Sequence, residues 1–276
     1  MSDWLNDTVR HALGEDLGGG DLTSEATVPV GLSAVARITQ KAPGVIAGVE
    51  VAGLVFKTVE EACVVSALVE EGVWRDNGPV MEIHGTARAL LAGERTALNF
   101  LQRLSGIATL TAQCVQAVAG TGVTILDTRK TTPGLRTLEK AAVLAGGGQN
   151  HRTGLYDAIL IKENHAAIAG GVGEAVRRAL AQSPGVMVEV ECETIAQVDE
   201  SLEAGAPRIL LDNMTAAELS FAVAHVAGRA ELEASGGFKL DGLREVAETG
   251  VNFISIGALT HSAPALDLSL LLEPTG

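Results

Sequence analysis

Positive charge is scarce in this chain of 276 residues. Lysine and arginine number 20 against 34 acidic residues, giving a formal net charge of -14 and a pI of about 4.8. Such a surface repels phosphate backbones, which excludes nonspecific nucleic-acid binding. Long apolar runs are also missing. No stretch of about 18 apolar residues occurs, so no transmembrane helix is expected, and no cationic leader precedes an apolar segment, so no secretory signal is expected. Cysteine is rare: Cys63, Cys114 and Cys192 are far apart and make no metal-ligand spacing. An odd number of scattered thiols suits a reducing cytosol and a cytoplasmic protein, each thiol acting as a small buried hydrophobe. Apolar residues, at 47%, are plentiful enough for a substantial core in one large domain or two ordinary ones.

The first 90 or so residues read as a small α+β domain with an antiparallel sheet. Trp4, Leu5, Thr8, Val9, Ala12 and Leu13 share one helical stripe. The segment from Gly14 to Asp21 contains three consecutive glycines. No strand precedes it and no Gly-Lys-Ser/Thr follows, so an acidic turn is expected rather than a phosphate loop. Ala34–Lys41, Cys63–Val69 and Val80–His84 read as strands, with a helical repeat from Val51 to Ala62. His84 alternates with apolar neighbours and reads as a surface or edge histidine. A long helical pattern runs from about Leu90 to Val118, where Arg95, Asn99 and Gln102 share a face apart from the leucines. Ser105-Gly106 breaks this pattern, and a crossing between domains is expected there.

From Gly122 onward a strand, a short loop and a helix recur. Val123–Leu126, Ala158–Ile161, Val186–Val190, Arg208–Leu211, Leu232–Ala234 and Phe253–Ile256 are the strand runs. Thr215 to Glu218 forms a capping box opening one helix, and Gly250 reads as the C-terminal cap of another. Right-handed crossovers close such a repeat toward a barrel. Six strands are fewer than eight, so the expected fold is an α/β chain with an incomplete six-stranded parallel β/α barrel.

Parallel barrels place ligands at the C-terminal strand ends, and here those ends carry the chemistry. Thr128, Arg129 and Lys130 follow the first strand and Lys162 follows the second. His151 and Arg152 lie between. Such a cationic group on an acidic protein gathers anions, since arginine forks match carboxylate or phosphate. Glu191 and Asp212 end the third and fourth strands, and carboxylates in a cationic pocket hold magnesium or sugar hydroxyls. Ser235-Gly236-Gly237 and Ile256-Gly257-Ala258 end the last two, where backbone N–H groups cradle a phosphate. The expected ligands are polyanionic, one of them a sugar phosphate. A Schiff-base aldolase also places a lysine at a barrel strand end, as Lys162 is, but has no use for so many cations together.

Asp127–Gly134, Gly146–Arg152, Ile161–His165 and Leu211-Asp212-Asn213 resemble the quinolinate phosphoribosyltransferase family. Glu94–Thr109 resembles its linker helix and Gly18–Ser24 its acidic N-terminal loop, so the resemblance covers nearly the whole chain. Ala141 departs from it, standing where a tyrosine is expected. The resemblance implies an N-terminal domain over residues 1–105, joined by the tail 264–276, and a catalytic barrel over 106–263. It implies phosphoribosyl transfer from phosphoribosyl pyrophosphate to quinolinate with decarboxylation, with Mg2+ as cofactor. Lys130, Lys162, Glu191 and Asp212 are then catalytic. Arg95, Arg129, His151, Arg152 and Lys162 face the substrate carboxylates, and Glu191 and Asp212 hold metal, directly or through substrate and water. It further implies a homodimer with shared sites, in which Arg95 serves the partner's barrel. A relative acting on another base would share the phosphate-binding parts, but the paired-carboxylate pocket favours quinolinate.

Overall fold

The computed structural model describes residues 3–275. The chain forms two compact units. The first runs to Leu110 and includes Pro133–Gly147 and the tail from Ala263; the second comprises Thr111–Thr132 and Gly148–Ser262.

In the first unit, helix α1 (Asp3–Leu17) buries Leu5, Val9 and Leu13, a single stripe at four-residue spacing. It takes in the residues from Gly14 to Leu17, where a turn was expected; Gly18, at φ 51°, ends it. Helix α2 (Leu22–Thr27) is capped by Asp21, whose carboxylate accepts from the N–H groups of Thr23 and Ser24. Strand β1 (Ser33–Gln40) alternates and buries Ala34, Ala36, Ile38 and Gln40. After it come strand β2 (Gly44–Val45), helix α3 (Val49–Val59) and strands β3 (Val64–Ala67), β4 (Trp74–Arg75) and β5 (Gly78–Thr86). β1 lies between β5 and the tail strand, antiparallel to both, and β3 pairs with β5. All three cysteines are buried. Burial pushes the Cys192 thiol up to about 11, so it stays protonated.

Helix α4 (Ala87–Ala117) runs 31 residues without a break. Ser105 and Gly106 therefore do not interrupt the helix, and each has a packing role. The Ser105 hydroxyl lies 3.1 Å from the Ala47 amide, which it accepts, and 3.2 Å from the Ala47 carbonyl. Gly106 lets the helix meet the tail: a Cβ there would lie 2.0 Å from the Pro264 carbonyl oxygen. One turn earlier, Arg103 pairs at 3.0 Å with the fully buried carboxylate of Glu139 on helix α5 (Arg136–Ala145).

The second unit contains six parallel strands: β6 (Thr124–Leu126), β7 (Ile159–Ile161), β8 (Val188–Cys192), β9 (Arg208–Asp212), β10 (Glu231–Ser235) and β11 (Phe253–Ser255). Helices α6 (Glu163–Ala169) and α7 (Val172–Gln182) follow β7, and α8 (Ile195–Glu203), α9 (Ala216–Val226) and α10 (Leu243–Ala247) separate the later strands. Helix α11 (Ala258–His261) and the tail strand β12 (Leu268–Pro274) complete the chain. Gly250 lies beyond the end of α10, in the turn after it, rather than at its cap. The sheet order is β6-β11-β10-β9-β8-β7, so the first two strands form the two edges. That is the incomplete barrel expected. A bridge from Gln149 extends the β6 edge by one residue, its N–H meeting the Ile125 carbonyl at 2.8 Å.

Alternation divides each strand's residues. Val188, Val190 and Cys192, Ile209 and Leu211, Leu232 and Ala234, and Ile254 form one apolar, buried set. The other set is largely polar, with Leu210 and Phe253 as its apolar members. Arg208 pairs with Glu231 at 2.8 Å and lies 4.0 Å from the centre of the Phe253 ring. Glu189 and Glu233 follow, both buried, and then Glu191, Asp212 and Ser235 at the strand ends. No helix among the described residues is long and apolar enough to cross a membrane.

The close approach at Gly106 is testable. Gly106→Ala improves helix propensity by about 1 kcal/mol, yet overpacking against backbone costs about 1–3 kcal/mol. The variant is expected to unfold at lower urea concentration, and an unchanged or higher midpoint would contradict the contact.

Candidate active site

Every strand of the barrel sends its C-terminal end to one cavity of about 760 Å³. Thr128, Arg129 and Lys130 arrive from the loop after β6, and His151 and Arg152 from the segment after the Gln149 bridge. Lys162 is the N-cap of α6. Glu191 and Asp212 end β8 and β9, while Ser235 to Gly237 and Ile256 to Ala258 line the far wall. All the residues expected at strand ends thus come together within the second unit. Arg95 does not join them; it is an exposed residue of α4 in the first unit.

The Lys130 loop is held from two directions. The Lys130 amide donates to the Thr128 hydroxyl at 3.1 Å, and the Thr260 hydroxyl of α11 donates to the Lys130 carbonyl at 2.8 Å. Gly257 keeps this corner open, since a Cβ there would lie 3.0 Å from Lys130 Cδ and 3.3 Å from His261 Nε2.

The carboxylates lie across from these cations. Lys162 Nζ is 2.9 Å from Glu191 Oε2. Burial and then the charge of Glu191 raise the Asp212 carboxyl above its ordinary value, opposed by the Ser235 hydroxyl, Lys162 and Lys130. Two oxygen-donor side chains that feel each other's charge inside one cavity form a hard donor set, the kind that binds magnesium. Asn213, in the left-handed region at φ 56°, donates from its amide to Asp212 Oδ2 at 2.7 Å.

The other wall is cationic and partly dry. Burial, and then the charge of Arg129, hold the Arg152 guanidinium below its ordinary value; Asp157 and Glu189 oppose them. The loop carrying Arg152 is tied down at several points. Asp127, fully buried, accepts from the His151 amide at 2.9 Å. Asp157 accepts from the amides of Thr153 and Gly154 at 2.6 and 2.9 Å.

Sequence reasoning missed several lining residues: Asn213, Phe238, Lys239 and His261 near the rim, and Leu160, Leu210, Glu233 and Ser255 deeper in. The signal for Glu233 was present in Leu232-Glu233-Ala234-Ser235, and the same signal marks Glu189 in Val188-Glu189-Val190-Glu191. There a period of two places each earlier acid on the same face as the strand-end group.

Glu233 is the most unusual of these. It is fully buried at the base of the cavity. It faces Glu189, His151 and Ser255, and burial first, then the charge of Glu189, pushes its carboxyl up to about 8. Unfolded, the same carboxyl titrates at its ordinary 4.5. Between those values the folded chain holds a proton that the unfolded chain has lost, so this group makes stability fall as pH rises. Glu233→Gln removes that slope. Urea melts from about pH 5 to pH 8 should show the variant gaining on the parent chain as pH rises; parallel curves would refute the assignment.

Comparison with known proteins agrees with this geometry. The chain matches the family model for the quinolinate phosphoribosyl transferase N-terminal domain over residues 21–105 and that for the C-terminal domain over residues 107–271. It is 45% identical over 275 residues to the nicotinate-nucleotide pyrophosphorylase [carboxylating] of Mycobacterium leprae, covering 97% of each chain. It is 44% identical to the probable enzyme of that name from Bacillus subtilis, covering 96% of this chain and 92% of the other. The solved structure of NadC from Streptococcus pyogenes superimposes with a TM-score of 0.94 at 39% identity, covering 99% of this chain and 97% of the other. With both domain models matched in order across one chain, and a cationic cavity at the barrel mouth, the protein belongs to the quinolinate phosphoribosyltransferase family.

Proposed function

We propose that the cavity holds quinolinate against its cationic wall and phosphoribosyl pyrophosphate across the carboxylates and glycine turns. The chain is a pentosyltransferase that joins these two substrates and releases nicotinate mononucleotide, pyrophosphate and carbon dioxide. The observation that carries the assignment of sites is the convergence of all six strand ends on one cavity, with guanidinium groups on one side and two carboxylates on the other.

Quinolinate has two adjacent carboxylates, and Arg129, Arg152 and Lys162 supply matching charge, with His151 beside them. The ring nitrogen attacks the anomeric carbon as the bond to pyrophosphate breaks. Positive charge develops on the sugar, where Glu191 and Asp212 meet it and bind the ribose hydroxyls. Negative charge collects on the leaving group, where Lys130 meets it. The alkylated ring is then a pyridinium, which accepts the electron pair left when the adjacent carboxylate departs as carbon dioxide. The exposed ring carbon takes a proton, and no protein nucleophile is required. Glu191 and Asp212 fit magnesium by donor type; when bound, it would add positive charge near the departing pyrophosphate. Ser235-Gly236-Gly237 and Ile256-Gly257-Ala258 receive the ribose phosphate through backbone donors. The buried thiols fit a reducing, cytoplasmic setting.

The working assembly is a homodimer with shared sites. Leu155, Tyr156 and Ile168, on the segments flanking the β7 edge, are 74%, 83% and 87% exposed, an apolar surface suited to a second subunit. Arg95 then reaches the partner's cavity.

Incubating the chain with quinolinate, phosphoribosyl pyrophosphate and magnesium should yield nicotinate mononucleotide. No product from folded protein would overturn the reading. Arg152→Ala removes one member of a partly desolvated charge pair, a loss of roughly 2–5 kcal/mol. Its KM for quinolinate should rise at least about tenfold, with an unchanged circular dichroism spectrum. Arg95→Ala and Lys130→Ala should each be nearly inactive. Refolded together, they should recover about a quarter of wild-type sites, because half the dimers are mixed and each has one intact site. No recovery after verified subunit exchange would place Arg95 in its own subunit's site.

A further inference from the structure

Given Arg152 as a ligand of a quinolinate carboxylate, something must hold its loop against the repulsion of Arg129. The Arg152 amide donates to His151 Nδ1 at 2.8 Å. That bond requires a lone pair on Nδ1, so the ring's hydrogen sits on Nε2. Nε2 points into the barrel, 2.7 Å from Glu189 Oε2 and 3.7 Å from Glu233 Oε2. The ring is therefore gripped from both sides, as an acceptor toward the loop and a donor toward the barrel. An imidazolium in this place would direct a second N–H at the Arg152 amide.

Two acids are more than this grip requires, and they are expensive to keep. Their side chains are 4% and 0% exposed. The two carboxyls share a hydrogen bond with each other, and His151 and Ser255 are their other polar neighbours. Taking acidic groups out of water is costly, and well-packed apolar replacements of buried ionic groups are often neutral or stabilising. Retaining such a pair directly beneath a substrate cavity points to a use other than stability.

We infer that Glu189 and Glu233 are positioning residues for quinolinate: they hold the His151 ring as its neutral Nε2–H form, and through Nδ1 the ring sets the Arg152 backbone. Glu189 makes the contact. Glu233, next to it, closes the space into which the ring would otherwise turn. Neither acid touches the reacting atoms. Their effect is expected on the quinolinate side of the cavity, where Arg152 lies.

The test compares Glu189→Leu, Glu189→Gln and Glu233→Leu with the parent enzyme. Orienting residues one layer behind a ligand change affinity or activity by about tenfold or more. Glu189→Leu should raise the KM for quinolinate by that amount, leaving the KM for phosphoribosyl pyrophosphate unchanged and the melting temperature equal or higher. Glu189→Gln, whose amide oxygen accepts from Nε2–H, should restore most of the loss. Glu233→Leu should show a smaller shift on quinolinate alone. Isotope-labelled imidazole nitrogens, with His151 assigned by the loss of its signal in His151→Asn, should show hydrogen on Nε2 only. An unchanged quinolinate KM in folded Glu189→Leu would overturn the inference, as would hydrogen on Nδ1 in the parent enzyme. A joint rise of both KM values with a lower melting temperature would reduce the pair to a structural role. If Glu189→Leu does not fold, the nuclear magnetic resonance result and Glu189→Gln still decide. Failure of the parent enzyme to form nicotinate mononucleotide is a separate outcome, and it defeats the assigned reaction instead.

Discussion

Two guanidinium groups share a partly dry cavity, and the rest of the barrel is arranged to make that tolerable. Arg129 lowers the affinity of Arg152 for its proton, a measure of the repulsion between them. In water, like charges at such range repel weakly, but burial strengthens the interaction several-fold. Opposite charge is therefore placed around them. Asp157 tethers the loop from outside, Glu189 lies beneath it, and Glu191 faces Lys162 across the mouth. On the proposed function, a dianionic substrate would complete this arrangement, and the charge that is costly to bury would be the charge that selects the ligand.

This need explains an unusual feature of the barrel. A parallel sheet covered by helices normally has apolar residues on both faces. Here one face of β8 to β10 is apolar and packed, while the other carries Arg208, Glu189, Glu231 and Glu233 up to the strand ends. The apolar set holds the strands in place, and the polar set supplies countercharge. The cavity is thus the upper end of a charged column, and changes deep in the barrel can affect the site without touching substrate.

The first unit depends on close packing rather than on charge. Helix α4 continues through Ser105-Gly106, where the hydroxyl finds Ala47 and the glycine admits the tail backbone. Residues that look like a break from one dimension become contacts in three. The same helix also has an exposed polar face with Arg95 and Asn99.

The sequence by itself determined the strand-loop-helix repeat, because periods of two and of about four survive in a linear reading. It also determined the strand-end chemistry, because a parallel barrel sends every strand terminus to one side. Thr128 through Lys130, Lys162, Glu191 and Asp212 could be picked out on that ground alone. It did not reveal the roles of Glu189 and Glu233, whose importance lies in which side chains meet across strands that are distant in sequence. Nor did it reveal that α4 is continuous, since a glycine in a helix reads as a weakness until its neighbour is known. Tertiary structure decided these points because burial, proton affinity and close approach depend on distances between residues far apart in the chain, and local spacing carries none of that information.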